Sequence, residues 1–269
     1  MNVFEIIYPS PILAPYIRYY WILDAESTSP ISERVTPTGC IDLVFHKRDS
    51  MFSLADNKLQ PQSFLCGLST EFSDLTSITG KVSMIVTVFQ PFGAKVFFDI
   101  PMSEFQNKTI SIDDIGDKEL QELEDQLLNE TDNRTCIKLI ESYLIDRLHS
   151  FKDYNYKRIV ASIQAIDNKS HVSISSLAEI ACLSYKQFNR IFTEHIGTNP
   201  KEFSRIIRFQ RALHILQTKP QINLTQLAFE AGYYDQPHLI KEFKTFSGYT
   251  PSEYIAICDP YSDYFSNTL

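Results

Sequence analysis

Tyr185, Lys186, Asn189, Arg190 and Thr193 recur at the spacing that puts them on one side of an α-helix. Gln236, His238, Ile240, Lys241 and Lys244 do the same about fifty residues later. Opposite them lie Phe188, Ile191, Phe192 and Ile196 in the first segment, and Leu239, Phe243 and Phe246 in the second. That is the pattern of helices with one buried and one solvated face. Amide and cationic side chains on such a face match the hydrogen-bonding edges of bases and the oxygens of phosphates, and a helix of this width enters a major groove. Lys241 is expected to act on phosphate rather than guanine, because a single flexible ammonium fixes orientation poorly. Gln236 and His238 are expected near base edges at the start of their helix, with Asn189 and Arg190 serving the first. Two of these residues have a plainer use: His238 in a core or local hydrogen bond, and Tyr185 as a cover for the base of its helix.

The elements that must position these faces are built twice. Residues 173–203 align with 223–254: Leu177, Ala178 and Ala181 answer to Leu227, Ala228 and Ala231 at an offset of fifty. After a turn the offset becomes fifty-one, pairing Phe188 with Leu239, Arg190 with Lys241, Phe192 with Phe243, Gly197 with Gly248, Pro200 with Pro251 and Phe203 with Tyr254. One extra turn residue accounts for the change. Each copy reads as a short helix, a tight turn and a second helix. Ser173 and Asn223 cap the first helices, with Gln226 completing a capping box in the second copy. Ser184, with Gln187 three residues on, and Asp235 open the second helices, which stop at Gly197 and Gly248 before a proline starts the next. Gly232 supplies the left-handed residue that the turn needs, while Cys182 must fill that place in the first copy. Between the copies, residues 200–218 predict a helix of roughly 28 Å at 1.5 Å per residue. That is near the ~34 Å between major-groove entries on one face of a duplex, so the two units can read two adjacent segments. Ahead of them, "YKRIVASIQAI" predicts a helix burying Ile159, Ile163 and Ile166.

The rest of the 269-residue chain has a different character. Residues 1–150 carry a net charge of -10, whereas residues 151–258 carry +4, as a module that approaches phosphates should. The first hundred residues read as short strands, among them "CIDLVFH" (40–46) and "VSMIVTVF" (82–89), separated by turn residues. Pro9, Pro11 and Pro15 predict an extended opening rather than a helical one. From about Ser111, Leu120, Leu123 and Leu127, and then Ile137, Ile140, Tyr143 and Leu144, predict two amphipathic helices in a hairpin. Their stripes pack on the strands, on each other or on a second subunit; a homodimer through this hairpin is the expectation. The fold class is therefore α+β: a β-barrel or cupin-like domain over 1–110, the helical hairpin over 111–150, an all-α double helix-turn-helix domain over 151–258 and a tail over 259–269.

The sequence lacks the constellations of an enzyme, and none is expected. His46 and His149 alone stand in the N-terminal part, short of the histidine cluster by which barrels hold a metal. "FGA" (92–94) and "GLS" (67–69) are single-glycine turns, and Asp113, Asp114 and Asp117 read as a solvated helix start. No GxSxG element occurs. The five cysteines are odd in number and form no CxxC pair, which argues against disulfides or a closed zinc site and for a reducing compartment. With neither a leader nor a membrane-length apolar run in the sequence, a cytoplasmic protein without cofactor or membrane partner is expected.

Two segments carry a family resemblance. "GYYDQPHLIKEFKTFSGYTPSEY" (232–254) and "LSYKQFNRIF" (183–192) resemble the signature of the AraC/XylS family of bacterial transcription regulators, over about residues 155–256. The resemblance implies two helix-turn-helix units on a long helix that bind double-stranded promoter DNA, work with RNA polymerase and usually activate transcription. The family pattern favours Arg where Lys241 stands, an aromatic at Leu239 and often Ser at Pro237. The N-terminal part, through "YIRYYWIL" (16–23), "VTPTGCIDLVFH" (35–46) and "VFQPFGAKVFFDIP" (88–101), resembles an uncharacterised sensor-like domain found before such regions. Some family relatives carry a cysteine-zinc repair domain there, which the scattered Cys40, Cys66 and Cys136 do not support. The expected function is a DNA-binding regulator controlled by a small-molecule effector. The alternative is a constitutive or protein-partner-controlled DNA-binding module.

Overall fold

A computed structural model of the chain describes residues 3–54, 56–148, 151, 154–168, 172–258 and 263–265. His149, the domain boundary at Ser150, and residues 259–262 and 266–269 of the tail lie outside the described residues. The chain divides into two units, the first made of Met1–Val35, Cys40–Gly67 and Ser73–Lys152, the second of Thr36–Gly39, Leu68–Phe72 and Asp153–Leu269.

In the first unit, strands β1 (Val3–Ile7), β2 (Ile17–Glu26), β3 (Ser32–Val35), β4 (Asp42–His46) and β5 (Met51–Ser53) are followed by β6 (Lys58–Leu59), β7 (Ser63–Cys66), β8 (Ser73–Ser77), β9 (Lys81–Phe89) and β10 (Thr109–Ser111). They form two antiparallel sheets, β1-β2-β9-β4-β7-β10 and β3-β8-β5-β6. The two runs singled out in the sequence become β4 and β9 at the centre of the larger sheet. In register, Tyr20, Thr87, Leu43 and Leu65 stand side by side on one face, and Trp21, Val86, Val44 and Phe64 on the other. All but Trp21 are buried, so these strands are covered on both faces and read as unbroken apolar runs rather than as alternations.

Neither sheet closes, so the expected barrel is corrected to two open sheets whose edge strands have one neighbour each. The helical hairpin supplies the cover that closure would otherwise provide. Helices α1 (Ala94–Phe97) and α2 (Ile112–Ile115) lead into α3 (Lys118–Asn129) and α4 (Asn133–Leu148). On the covered face, the Tyr20 hydroxyl meets Glu141 Oε1 at 3.5 Å, and Asn133 Nδ2 donates to Asp24 Oδ2 at 3.2 Å. Leu120, Leu123, Leu127, Ile137, Ile140, Tyr143 and Leu144 are all buried within the single chain. Those stripes are therefore spent on the chain's own core, which corrects their expected role as a self-association surface. The opening is corrected too. Ala14 N donates to Ser10 O and Ile17 N to Leu13 O, which are helical-type turns, with Pro11 in a first-turn position that needs no N–H.

The second unit is helical. It runs α5 (Tyr156–Asn168), α6 (Ile174–Ile180), α7 (Tyr185–Ile196), α8 (Pro200–Thr218), α9 (Leu224–Ala231), α10 (Gln236–Ser247) and α11 (Pro251–Ile257). Ile159, Ile163 and Ile166 of α5 are buried, as its periodicity predicts. On α8, the fully buried Gln210 donates to Pro37 O at 2.8 Å and accepts from Tyr264 N at 3.3 Å. Tyr264, counted by sequence with the tail, is buried, and its hydroxyl bonds Asp167 at 2.8 Å. Among the described residues no helix is long and apolar enough to cross a membrane, and no three His, Cys, Asp or Glu side chains cluster as a metal site would require.

Candidate nucleic-acid interface

The first unit of the repeat is α6, a turn and α7. Ser173 caps α6 by accepting from Ser176 N, and Ser184 with Gln187 forms a complete capping box on α7. Cys182 adopts φ 52 in the turn, and Leu183 N then reaches Ala178 O at 2.9 Å. In the second unit Gly232 adopts φ 88, and Tyr233 N reaches Ala228 O at 2.8 Å. The same Schellman bond thus closes both turns, fifty residues apart. Asn223 caps α9 through Gln226 N as expected, but Gln226 returns no hydrogen bond, so the capping box predicted there is half made. Asp235 caps α10, and Pro237 sits in its first turn, where no N–H is missed. Gly197 and Gly248 end α7 and α10 in the left-handed region.

These caps aim the two second helices. On α7, Phe188 and Phe192 are buried with ring centroids 5.4 Å apart, joined by Ile191 and Ile196. Tyr185, Lys186 and Arg190 are exposed, while Asn189 and Thr193 are half-buried. Part of this face is engaged locally. Thr193 Oγ1 donates to Asn189 O at 2.7 Å, Asn189 Nδ2 donates to Tyr185 O at 3.0 Å, and Arg190 lies 3.6 Å from Glu194. On α10, Leu239, Phe243 and Phe246 are fully buried, and Lys241 and Lys244 are exposed without an ion pair among the described residues. Ile240, Lys241 and Lys244 line a shallow groove of about 560 Å3 with Pro237 and Thr245. Gln236 Oε1 accepts from Thr225 Oγ1 at 3.3 Å. His238 takes the plainer use foreseen for it: Nδ1 accepts from Tyr234 N at 3.4 Å and Nε2 lies 3.4 Å from Glu242.

Sequence reasoning missed the group that holds α10 in place. Glu242 lies on the inward side of α10 with its side chain 8% exposed, 2.7 Å from Arg205 and 3.0 Å from Arg208 of α8. Arg205 also pairs with Glu202, and its guanidinium stacks 5.2 Å from the Phe246 ring. Burial alone would push the Glu242 carboxyl up, but the hydrogen bonds and charges of Arg205 and Arg208 outweigh it and hold the group below the usual carboxylate range. The signal was present: a glutamate three residues after buried Leu239 needs a cation, and Arg205 and Arg208 repeat at helical spacing. Tyr234, 90% exposed just ahead of α10, was also passed over as a candidate.

Residues 177–256 match the family model of a helix-turn-helix domain, and residues 5–111 match a domain of unknown function, DUF6597. A helix-turn-helix transcriptional regulator of Haemophilus influenzae, itself described as uncharacterized, is 36% identical over 36% of this chain and 31% of its own. Residues 177–256 are thus a helix-turn-helix domain. Two further relatives are named as operon regulators. The XylDLEGF operon transcriptional activator of Pseudomonas putida is 22% identical over 45% of this chain and 38% of its own. The arabinose operon regulatory protein of Escherichia coli is 25% identical over 46% and 44%. The chain thus spans less than half the length of each of these relatives. Among solved structures, ToxT from Vibrio cholerae aligns over 89% of this chain and 98% of its own, with 10% identity and a TM-score of 0.47.

Proposed function

We propose that the protein is a sequence-specific, DNA-binding transcription regulator whose α7 and α10 enter two successive major-groove segments of promoter DNA. The observation that carries this reading is the duplicated unit itself. Two second helices, aimed by matched caps and matched turn bonds, each present an outward polar and cationic face, and the nineteen-residue α8 joins the units. In this reading Lys186, Arg190, Lys241 and Lys244 neutralise phosphates. Asn189 and Gln236 retain amide groups for base edges, and Tyr185, Thr193 and Ile240 fill the groove wall. His238, held by Tyr234 and Glu242, orients the start of α10. The β-rich unit senses a small effector. Activation through RNA polymerase and pairing of two copies on DNA rest on the family resemblance, and pairing needs a surface other than the buried stripes of α3 and α4.

The test is selection of duplexes from a random library by the full chain, followed by mobility-shift titration of the enriched sequence against random duplex at several salt concentrations. The enriched duplex is expected to bind more tightly, with affinity falling as salt rises. Folded chain that retards neither duplex at low salt would overturn the reading.

A further inference from the structure

Where the ends of β2 and β9 and the residue after β4 meet the turn between α3 and α4, the first unit holds a cleft of about 460 Å3 lined by groups of both charges. Most of those charges are already engaged. Glu26 lies 3.3 Å from Lys81 and 3.8 Å from Arg48, and Glu130 Oε1 accepts from the amides of Thr131 and Asp132. Lys47 and Asp24 differ from these in meeting only side chains that carry no charge, among the described residues. Among the described residues, the half-buried Lys47 ammonium donates only to neutral atoms, Asn133 Oδ1 at 3.3 Å and Cys136 Sγ at 3.5 Å. Among the same residues, the half-buried Asp24 carboxylate accepts only from the Ser83 hydroxyl and from Asn133 Nδ2 at 3.2 Å. A single amide, that of Asn133, therefore spans an ammonium and a carboxylate that have no ion-pair partner among the described residues. A half-buried ammonium and carboxylate whose direct partners are neutral each gain when a mobile molecule brings an opposite charge into contact.

We propose that this cleft binds a small zwitterion of the α-amino-acid class. Its carboxylate meets Lys47, its ammonium meets Asp24, and its side chain rests on Leu128, which the α3 end leaves exposed on the cleft wall. An α-amino acid carries its two charges one carbon apart, which suits two groups that one amide already bridges. A simple anion would satisfy Lys47 but face Asp24, and a simple amine would satisfy Asp24 but face Lys47, so both are selected against. The cleft volume falls within the range of small-molecule sites. Such a ligand ties the α3–α4 turn to the sheet. As the effector of the proposed regulator it rests on that reading for its consequence, but its binding needs no DNA.

Calorimetric titration of the full chain with each common L-α-amino acid tests this, alongside the N-acetyl and carboxamide forms of any that bind. At least one amino acid is expected to bind, and blocking either charged end should weaken it about tenfold or more. Lys47→Met and Asp24→Asn, which keep the shape of the wall, should each lose the same amount. Absence of binding by every amino acid overturns the proposal. So does equal binding of either blocked form, which would mark a plain anion or amine site, or binding unchanged in both folded variants. The blocked ligands keep the test decisive if a variant fails to fold, and a failure here leaves DNA binding untouched.

Discussion

Cys182 and Gly232 hold the same left-handed position, fifty residues apart, each ending the first helix of a helix-turn-helix unit. Glycine adopts this conformation without steric cost, whereas a residue with a Cβ gives up roughly 1–2 kcal/mol. Cys182→Gly is therefore expected to stabilise the protein by about 1 kcal/mol, less the extra freedom that glycine gives the unfolded chain. Gly232→Ala should destabilise it by a similar amount. Urea unfolding of both variants checks the pair, and a Cys182→Gly chain less stable than the parent would contradict the assignment.

Lys241→Ala removes an exposed cation and leaves Leu239 and Phe243 buried, so the fold should survive while DNA affinity falls. Because the ammonium grips phosphate in the proposed docking, the loss should be alike across operator variants. The slope of log affinity against log salt should shrink by about one unit. A loss confined to one base pair would instead assign Lys241 to guanine.

Glu242 ties acid sensitivity to the seating of α10. Its folded pKa lies below the unfolded value, so its stabilisation is complete above the ordinary carboxylate range near pH ~4.3 and is lost as pH falls through the folded value. Glu242→Gln leaves Arg205 and Arg208 without their shared counter-charge, at a cost of about 3–5 kcal/mol near neutral pH. Unfolding measured at neutral and acid pH should show a gap between parent and variant that narrows on acidification. A gap independent of pH would mean that the carboxylate charge is not what seats the helix.

The hairpin makes a further prediction. Ile140 is fully buried within one chain, so Ile140→Ala should cost about 2–5 kcal/mol of unfolding free energy at any protein concentration. Were the stripe an interface between copies, the loss would instead depend on concentration and sedimentation would show a shifted dimerisation equilibrium.

Local chemistry makes the second half of the chain legible from its residues alone. Ser173, Ser184, Asn223, Asp235 and the glycines at 197, 232 and 248 act on their nearest neighbours, and helix caps are short-range devices that a sequence displays openly. The half-made cap at Gln226 shows the limit, since a side chain able to reciprocate need not do so. The sheets are less legible because pairing is non-local. The apolar runs of β4 and β9 declare strands but not whether the sheet closes on itself, and it stays open while α3 and α4 bury their stripes. Stripes such as Leu120–Leu123–Leu127 announce burial without naming the surface that buries them. Glu242 escapes a sequence reading for the same reason, because its partners stand more than thirty residues away on α8.

The nineteen-residue α8 has a consequence for the shape of the target. In the proposed docking one chain reads both segments, and the two reading faces differ: Asn189 and Arg190 on one, Gln236 and Lys241 on the other. The operator of a single chain is then not a palindrome but a sentence with a direction, which cannot be reversed without presenting each half to the wrong helix. Its halves also have a fixed phase, because one inserted base pair displaces the second by roughly 3.4 Å along the duplex and turns it away from a spacer that does not stretch. A promoter carrying such a site points the protein one way along the DNA.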